Sequence, residues 1–134
     1  MEKKDKEIQK EYLELQILSQ RIGQLHQQIK SITNSIVELK SIENSLEEIK
    51  KLKKENKILI PLGGNVFIKG EIKKCDELIV GIGSKILVKK NILDTKGMIK
   101  NQISELEDIN IELEKETNDM VMQFEDLQKG ILKE

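Results

Sequence analysis

The chain has 134 residues, of which 35% are charged and 2% are aromatic, and its formal net charge is -1. This length favours a single domain, while the scarcity of large aromatic side chains argues against a sizeable compact core. The balanced charge and the lack of aromatic stacking surfaces argue against nucleic-acid binding, and no apolar run is long enough to predict a membrane span.

Two further features of the composition bear on location and shape. The first ten residues, MEKKDKEIQK, lack the apolar stretch of a signal peptide. Cys75 is the single cysteine, so no disulfide forms within the chain, as is usual in a reducing cytoplasm. We therefore expect a cytoplasmic protein. The abundance of Glu, Lys, Leu and Ile at high charge is typical of long helices.

The first predicted element is the N-terminal arm, residues 1–54. Over residues 15–39 its apolar positions recur in alternating steps of three and four, which is the heptad seam of a left-handed coiled coil. A second seam, shifted by one position and starting at Ile42, follows the first one. We therefore expect the coil to loosen or end over residues 43–50. The lysine-rich segment 50–57 is typical of a helix C-terminus followed by a linker.

Four short β-prone runs make up the central module, residues 57–91, which holds the only proline of the chain. Glycine-containing turns at 63–65 and 83–85 separate the first run from the second and the third from the fourth. This spacing predicts two β-hairpins. A lone hairpin is marginal in water and leaves its strand edges open, so we expect the strands to find partners on other chains.

The apolar residues of these runs are the predicted oligomerisation surface. We expect the helices of the same chain not to cover them. They are Ile58, Ile60, Leu62, Val66, Phe67, Ile68, Ile72, Leu78, Val80, Ile82, Ile86 and Val88.

The C-terminal arm, residues 92–134, carries two apolar rows at the same heptad spacing. Asn110 and Thr117 are polar residues in this seam. Either they set the register of the coil, or the seam is wet and loosely packed around them. Asn91 or Asp94 is predicted to cap the start of the helix. Because each arm alone leaves an apolar stripe exposed, we expect the two arms to form an antiparallel coiled coil with both chain ends at its far tip.

Apolar residues also occur outside the seam close to both chain ends. Tyr12 and Ile17 lie near the first end, and Val121, Met122 and Leu132 lie near the second. One interpretation is an exposed contact surface at the tip, for which the adaptable methionine side chain is well suited. The alternative is that the seam widens here into a broader buried stripe.

The order long helix, two β-hairpins, long helix resembles an α-class subunit of archaeal prefoldin. The most specific part is ILIPLGGNVFIKGEIKKCDELIVGIGSKILVKKN, residues 58–91, since β-class subunits of that family have a single hairpin. The resemblance implies an α+β, mostly α fold. In it, a long antiparallel coiled-coil hairpin carries two central β-hairpins that form a shared oligomerisation barrel. It also implies a hexamer of two α-class and four β-class subunits.

The same resemblance implies a function as an ATP-independent holdase. Prefoldin arms bind unfolded client proteins at their tips and deliver them to a group II chaperonin. Several weak apolar grips acting together would hold a client while each single contact releases quickly. The client-binding residues that follow from this are Ile8, Tyr12, Leu15, Ile17, Met120, Val121, Met122, Phe124, Leu127, Ile131 and Leu132.

Signals for chemistry are weak by comparison. In the segment 81–85, GIGSK, the lysine follows the serine and a β-prone run comes next, unlike a Walker phosphate loop. His26 is the only histidine, so a histidine-based metal site or a Ser-His pair is not expected. Cys75 lies in a polar turn without a partner for activation. We therefore expect a protein that is not an enzyme and needs no cofactor or metal.

Two alternatives to the holdase function stay open at this stage. One is a prefoldin-like chain that assembles with itself, even into filaments. The other is a structural coiled-coil adaptor that binds one dedicated folded partner. The adaptor would ignore unrelated unfolded proteins, whereas a holdase would bind them.

Overall fold

The computed structural model describes residues 2–51, 56–73 and 76–133, and it has two long helices with four strands between them. The elements in chain order are helix α1 (Glu2–Lys50), strands β1 (Asn56–Gly63), β2 (Val66–Ile72), β3 (Glu77–Gly83) and β4 (Ile86–Asn91), and helix α2 (Ile92–Lys133). The predicted mostly α fold with two central hairpins is confirmed. In the described part of the chain, neither helix contains a stretch apolar enough to cross a membrane.

The chain divides into two compact units, which we describe separately. The arm unit comprises Met1–Val37 and Ser104–Glu134, and the base unit comprises Glu38–Ile103. The arm unit therefore holds the parts of α1 and α2 nearest the chain ends. The base unit holds the remainder of both helices and all four strands.

In the arm unit, the two helices run antiparallel. Arg21 Nη2 lies 3.3 Å from Glu116 Oε1, and the Asn110 amide donates to Thr33 Oγ1 at 3.2 Å, so residue numbers rise along α1 as they fall along α2. Leu25, in the middle of the predicted seam, is fully buried. The heptad spacing of apolar residues thus predicts correctly which stripe of each helix is covered.

The two polar residues of the α2 seam behave differently. Thr117 is buried, and its hydroxyl donates to the carbonyl oxygen of Leu113 at 2.6 Å within its own helix. Asn110 instead reaches across to Thr33, while its own Oδ1 is buried without a partner. Loose, wet packing is therefore the wrong interpretation for Thr117. The register interpretation gains support at Asn110 alone.

In the base unit, the original heptad register continues further than predicted. Leu46 is buried, Glu43 in the preceding seam position is half-buried, and Ile42 is 46% exposed. The shifted seam is therefore wrong at Ile42 but right at Ile49, which is half-buried, whereas Lys50 of the original register is exposed. The original spacing thus holds through Glu43 and Leu46 and shifts only after them. An ion pair between Glu47 and Lys96 links the two helices here.

The start of α2 is capped by Asn91, the last residue of β4. Its side-chain Oδ1 accepts a hydrogen bond of 2.7 Å from the backbone N–H of Asp94. This is the arrangement of an N-cap residue that satisfies one of the free donors of the first turn. Thr95 is buried, and its hydroxyl donates to the carbonyl oxygen of Asn91 at 2.8 Å. Of the two predicted capping residues, Asn91 is the correct one.

Both hairpins close through two-residue turns of the same type. Gly64 and Asn65 have φ angles of 52° and 62°, and Ser84 and Lys85 have φ angles of 49° and 62°. Two successive positive φ angles define the type I′ turn, whose twist matches that of the strands it joins. The predicted positions of both turns are confirmed, although β1 and β3 extend through the glycine before each turn.

The second hairpin repeats the first at a spacing of twenty residues. The strand register shifts at Leu62 in one hairpin and at Ile82 in the other. Gly63 and Gly83 follow these shifts with φ angles of 115° and 108°, a conformation that side chains with a Cβ rarely adopt. The two hairpins therefore have equivalent apolar, bulged and turn positions.

This turn geometry predicts opposite effects for two glycine-to-alanine substitutions. Gly63→Ala is expected to cost about 1–3 kcal/mol of unfolding free energy, because alanine is strained at this φ. Gly97→Ala, in helix α2 with no atom within 4 Å of the added Cβ, is expected to stabilise by about 0.5–1 kcal/mol. Denaturant unfolding of both variants measures the difference. Equal stability of Gly63→Ala and wild type would contradict the positive φ angle of Gly63.

The polar seam residue Asn110 predicts that one apolar substitution raises the stability of the chain. Asn110→Leu is expected to raise the unfolding free energy by about 1 kcal/mol, because it removes a buried carbonyl oxygen without a partner. Asn118→Leu, an exposed position on the same helix, is the control and should change little. Unfolding followed by circular dichroism measures both variants. A destabilised Asn110→Leu would show that the bond to Thr33 outweighs the unpaired oxygen.

Candidate interaction surfaces

The first hairpin, β1 paired with β2, exposes apolar side chains on both of its faces. Antiparallel pairing and alternation put Ile60 and Ile68 on one face, and Leu59 and Phe67 on the other. All four are between 42% and 63% exposed. A two-stranded sheet buries almost nothing by itself, so these side chains are available to a partner.

The second hairpin, β3 paired with β4, has one covered and one exposed face. Leu78, Val80 and Val88 share a face and are half-buried. Ile79 and Leu87 share the opposite face and are 70% and 68% exposed. The second hairpin thus offers a partner mainly the Ile79 face.

The covered face turns towards helices of its own chain. Leu78 and Val80 line an apolar groove with Leu39 and Leu46 of α1 and Met98 of α2, all within the base unit. The expectation that helices of the same chain do not cover the strands is therefore wrong for this face. The reason is that β4 leads directly into α2, which keeps the hairpin next to the base of the helices.

The predicted oligomerisation residues consequently fall into two groups. Most of them are exposed: Ile60, Leu62, Val66, Phe67, Ile68, Ile82 and Ile86. The remaining ones are half-buried: Ile58, Ile72, Leu78, Val80 and Val88. Sequence reasoning missed Leu59, Ile79 and Leu87, which are among the most exposed apolar residues of the strands. The twenty-residue repeat is the signal that relates them, since Leu59 and Phe67 correspond to Ile79 and Leu87.

The second surface lies near the chain ends, in the arm unit. The antiparallel register, carried outwards from the pairs at Arg21 and Thr33, sets residues 8–17 beside residues 120–132. The predicted client-binding residues again divide by exposure. Tyr12, Ile17, Met122 and Leu132 are 55–79% exposed. Half-buried are Ile8, Leu15, Met120, Val121, Phe124, Leu127 and Ile131.

The residues outside the seam differ in exposure. Val121 is half-buried, as expected if the seam widens. Tyr12 and Met122 are exposed, as expected of a contact surface. Leu13, which is not among the predicted client-binding residues, is 57% exposed beside Tyr12.

The structure also locates the weaker signals for chemistry. Residues 81–85 span the end of β3 and the turn into β4, and no helix follows, unlike a Walker loop. His26 is exposed on α1. Among the residues that the structure describes, no group of three or more His, Cys, Asp or Glu side chains is arranged to hold a metal ion. Cys75 lies outside the described residues.

Comparisons with known proteins agree on one family. A family profile described as "Prefoldin subunit" matches residues 18–131. The chain is similar to prefoldin subunit alpha of Methanococcus maripaludis, with 27% identity over 77% of this chain and 69% of the relative. It is also similar to prefoldin subunit alpha of Methanobrevibacter smithii, with 37% identity over 71% of this chain and 64% of the relative.

A solved structure has the same fold. The cryo-EM structure of filamentous PFD from Methanocaldococcus jannaschii superposes with a TM-score of 0.76 and 21% identity, covering 86% of this chain and 95% of that one. The family profile spans both helices and both hairpins, and the curated relatives are alpha subunits. The chain therefore belongs to the prefoldin subunit family and is an archaeal-type α-class subunit of this chaperone.

Proposed function

We propose that this subunit assembles through its two hairpins with β-class subunits, as a hexamer of two α-class and four β-class chains. We further propose that it holds unfolded client proteins at the ends of its arms, without ATP, and delivers them to a group II chaperonin. One observation supports assembly through the hairpins and holding at the arm ends. Exposed apolar side chains concentrate in the strands and near the chain ends.

The assembly proposal rests on what the hairpins leave exposed. Each is a separate two-stranded sheet with open edges on both sides. Leu59, Ile79 and Leu87 are 63–70% exposed. Full burial of one such side chain stabilises an interface by about 1.5–3 kcal/mol. Strand pairing with neighbouring chains would cover the edges and these side chains together, which is what a shared barrel achieves.

The holding proposal rests on the chain-end surface. Tyr12, Ile17, Met122 and Leu132 are exposed, while seam residues beside them still hold the two helices together. Such a surface binds apolar segments weakly and without a fixed shape. Several arms in one particle would strengthen the hold through effective concentration, and each contact would still release quickly. Binding of this kind needs no reaction, cofactor or metal, and we propose that the subunit acts in the cytoplasm.

Assembly predicts that apolar strand residues control particle mass. Light scattering of this chain mixed with an archaeal β-class prefoldin subunit is expected to show two of these chains with four partners. The double variant Ile79→Ser/Leu87→Ser is expected to need at least about tenfold more protein to assemble. The reason is that the interface loses about 1.4 kcal/mol or more of the free energy gained by burying the two apolar side chains. The control is Val37→Ser/Leu93→Ser, which changes two residues that are also exposed but lie in helices.

The measured mass distinguishes a mixed hexamer from a self-assembling paralogue and from a coiled-coil adaptor. A large homo-oligomer that ignores the β-class partner would indicate a self-assembling paralogue. A monomer or dimer in both samples would contradict the shared barrel and leave a coiled-coil adaptor. Assembly by Ile79→Ser/Leu87→Ser at the wild-type concentration would show that this face is not the interface.

Holding predicts a loss of chaperone activity when the chain-end surface is made polar. Ile17→Ser/Leu132→Ser is expected to weaken suppression of client aggregation several-fold in an intact particle, because both side chains are exposed and contribute little to the seam. Aggregation of two unrelated unfolded proteins, followed by turbidity, measures the effect. Val37→Ser/Leu93→Ser again serves as the control. Undiminished suppression would contradict the assignment, and suppression limited to one client would indicate a dedicated adaptor.

A further inference from the structure

The near-zero net charge of the chain conceals a separation of charge along it. Residues 56–91, which contain the strands, carry seven lysines and three acidic residues. Residues 104–128 of α2, in the arm unit, carry nine acidic residues and one lysine. The α2 surface of the arm unit is therefore strongly anionic, although the whole subunit has a formal charge of only -1.

Two exposed apolar residues lie within this anionic stretch. Ile111 is 53% exposed and Met122 is 62% exposed. They are eleven residues apart, which is about three helical turns, so they lie on nearly the same face of α2 about 16 Å apart. A single apolar segment of an extended chain can reach both, since about five extended residues span this distance.

Carboxylates surround both apolar residues. Residues three or four positions apart are neighbours on a helix surface. By this spacing, Asp108 and Glu114 flank Ile111, and Asp119, Glu125 and Asp126 flank Met122. All five are exposed, and within the described residues none of the five forms an ion pair. Lys115, four positions after Ile111, is also its neighbour on the helix and is the single positive charge between the two apolar positions.

We propose that this α2 face, formed by Ile111, Met122 and the five flanking carboxylates, selects cationic clients. Its occupant is a segment of unfolded polypeptide in which lysine or arginine alternates with apolar residues. The apolar side chains of the segment contact Ile111 and Met122, and its cations pair with the carboxylates around them. The inference rests on the proposed holding function and narrows its client class to basic, apolar-rich chains.

Charge favours a cationic segment over an acidic segment or a second copy of this chain. An acidic unfolded segment would place like charges against the carboxylates, which costs affinity. The same face on a second copy of the chain would be repelled for the same reason. The lysine-rich strands of another copy are complementary in charge, but the proposed assembly engages the strands with neighbouring subunits. Unfolded cationic segments remain the partner that fits both the apolar and the charged part of the face.

The test compares three unfolded fluorescent peptides that share one set of apolar residues, alternating with Lys, Gln or Glu. Anisotropy titrations use the particle assembled with β-class subunits. The Lys peptide is expected to bind about three- to tenfold tighter than the Gln peptide at low salt, since exposed ion pairs are individually weak. The Glu peptide should bind most weakly. At about 0.5 M salt the three affinities should converge, because exposed charges are then screened.

Two matched variants locate the effect on the α2 face. Glu114→Gln/Glu125→Gln removes one carboxylate beside each apolar residue. It should reduce affinity for the Lys peptide about threefold and leave the Gln peptide unchanged. Glu38→Gln/Glu48→Gln makes the same change at two exposed positions of α1 and should have no effect.

Each result bears on one claim. Equal affinity for the three peptides, with binding intact, would overturn the charge selectivity and leave the holding function standing. Equal losses in both variants would overturn the assignment to this face, since total charge would then be the cause. A change of particle mass in Glu114→Gln/Glu125→Gln would make the face a subunit contact and would also overturn the proposal. Failure to bind any of the peptides, including the Gln one, would instead contradict the holding function itself.

Discussion

The structure depends on what a two-stranded sheet leaves exposed. Its two strands form backbone hydrogen bonds with each other along one edge only, so both outer edges and most side chains remain in water. This subunit contains two such sheets, and each carries apolar residues that its own chain does not cover. Such a surface destabilises an isolated chain and stabilises an assembly that buries it. Assembly with other chains follows from this constraint more directly than from any feature of the helices.

The helices differ from the sheets, because their backbone hydrogen bonds and their apolar stripes find partners within one chain. In the arm unit, Leu25 is fully buried and the Asn110–Thr33 bond spans the two helices. In the base unit, Asn91 ends β4 and caps α2 at once, so the same residue closes the sheet and starts the helix. Each arm can therefore present side chains near the chain ends without depending on a client for its own stability. A holdase needs this independence because it must remain folded after its client is released.

Much of the fold is readable from the sequence because its signals are local. The heptad spacing identifies Leu25 and Ile103 as covered residues, and the glycine turns identify both hairpins. The failures concern tertiary context. Which face of β3 is covered depends on where α1 and α2 lie, so sequence reasoning selected Leu78 and missed Ile79. The seam shift at Ile42 was misjudged since apolarity alone does not reveal that Glu43 keeps its seam position.

We propose that both hairpins are buried against other chains, and amide hydrogen exchange of residues 56–73 and 76–91 tests this directly. The measurement compares this subunit alone with the same subunit in the mixed particle. We expect the outer-edge amides of the strands, which are open in the free chain, to exchange at least about tenfold more slowly in the particle. Unchanged exchange in both hairpins of a confirmed mixed particle would show that other surfaces hold it together and would contradict burial of the hairpins.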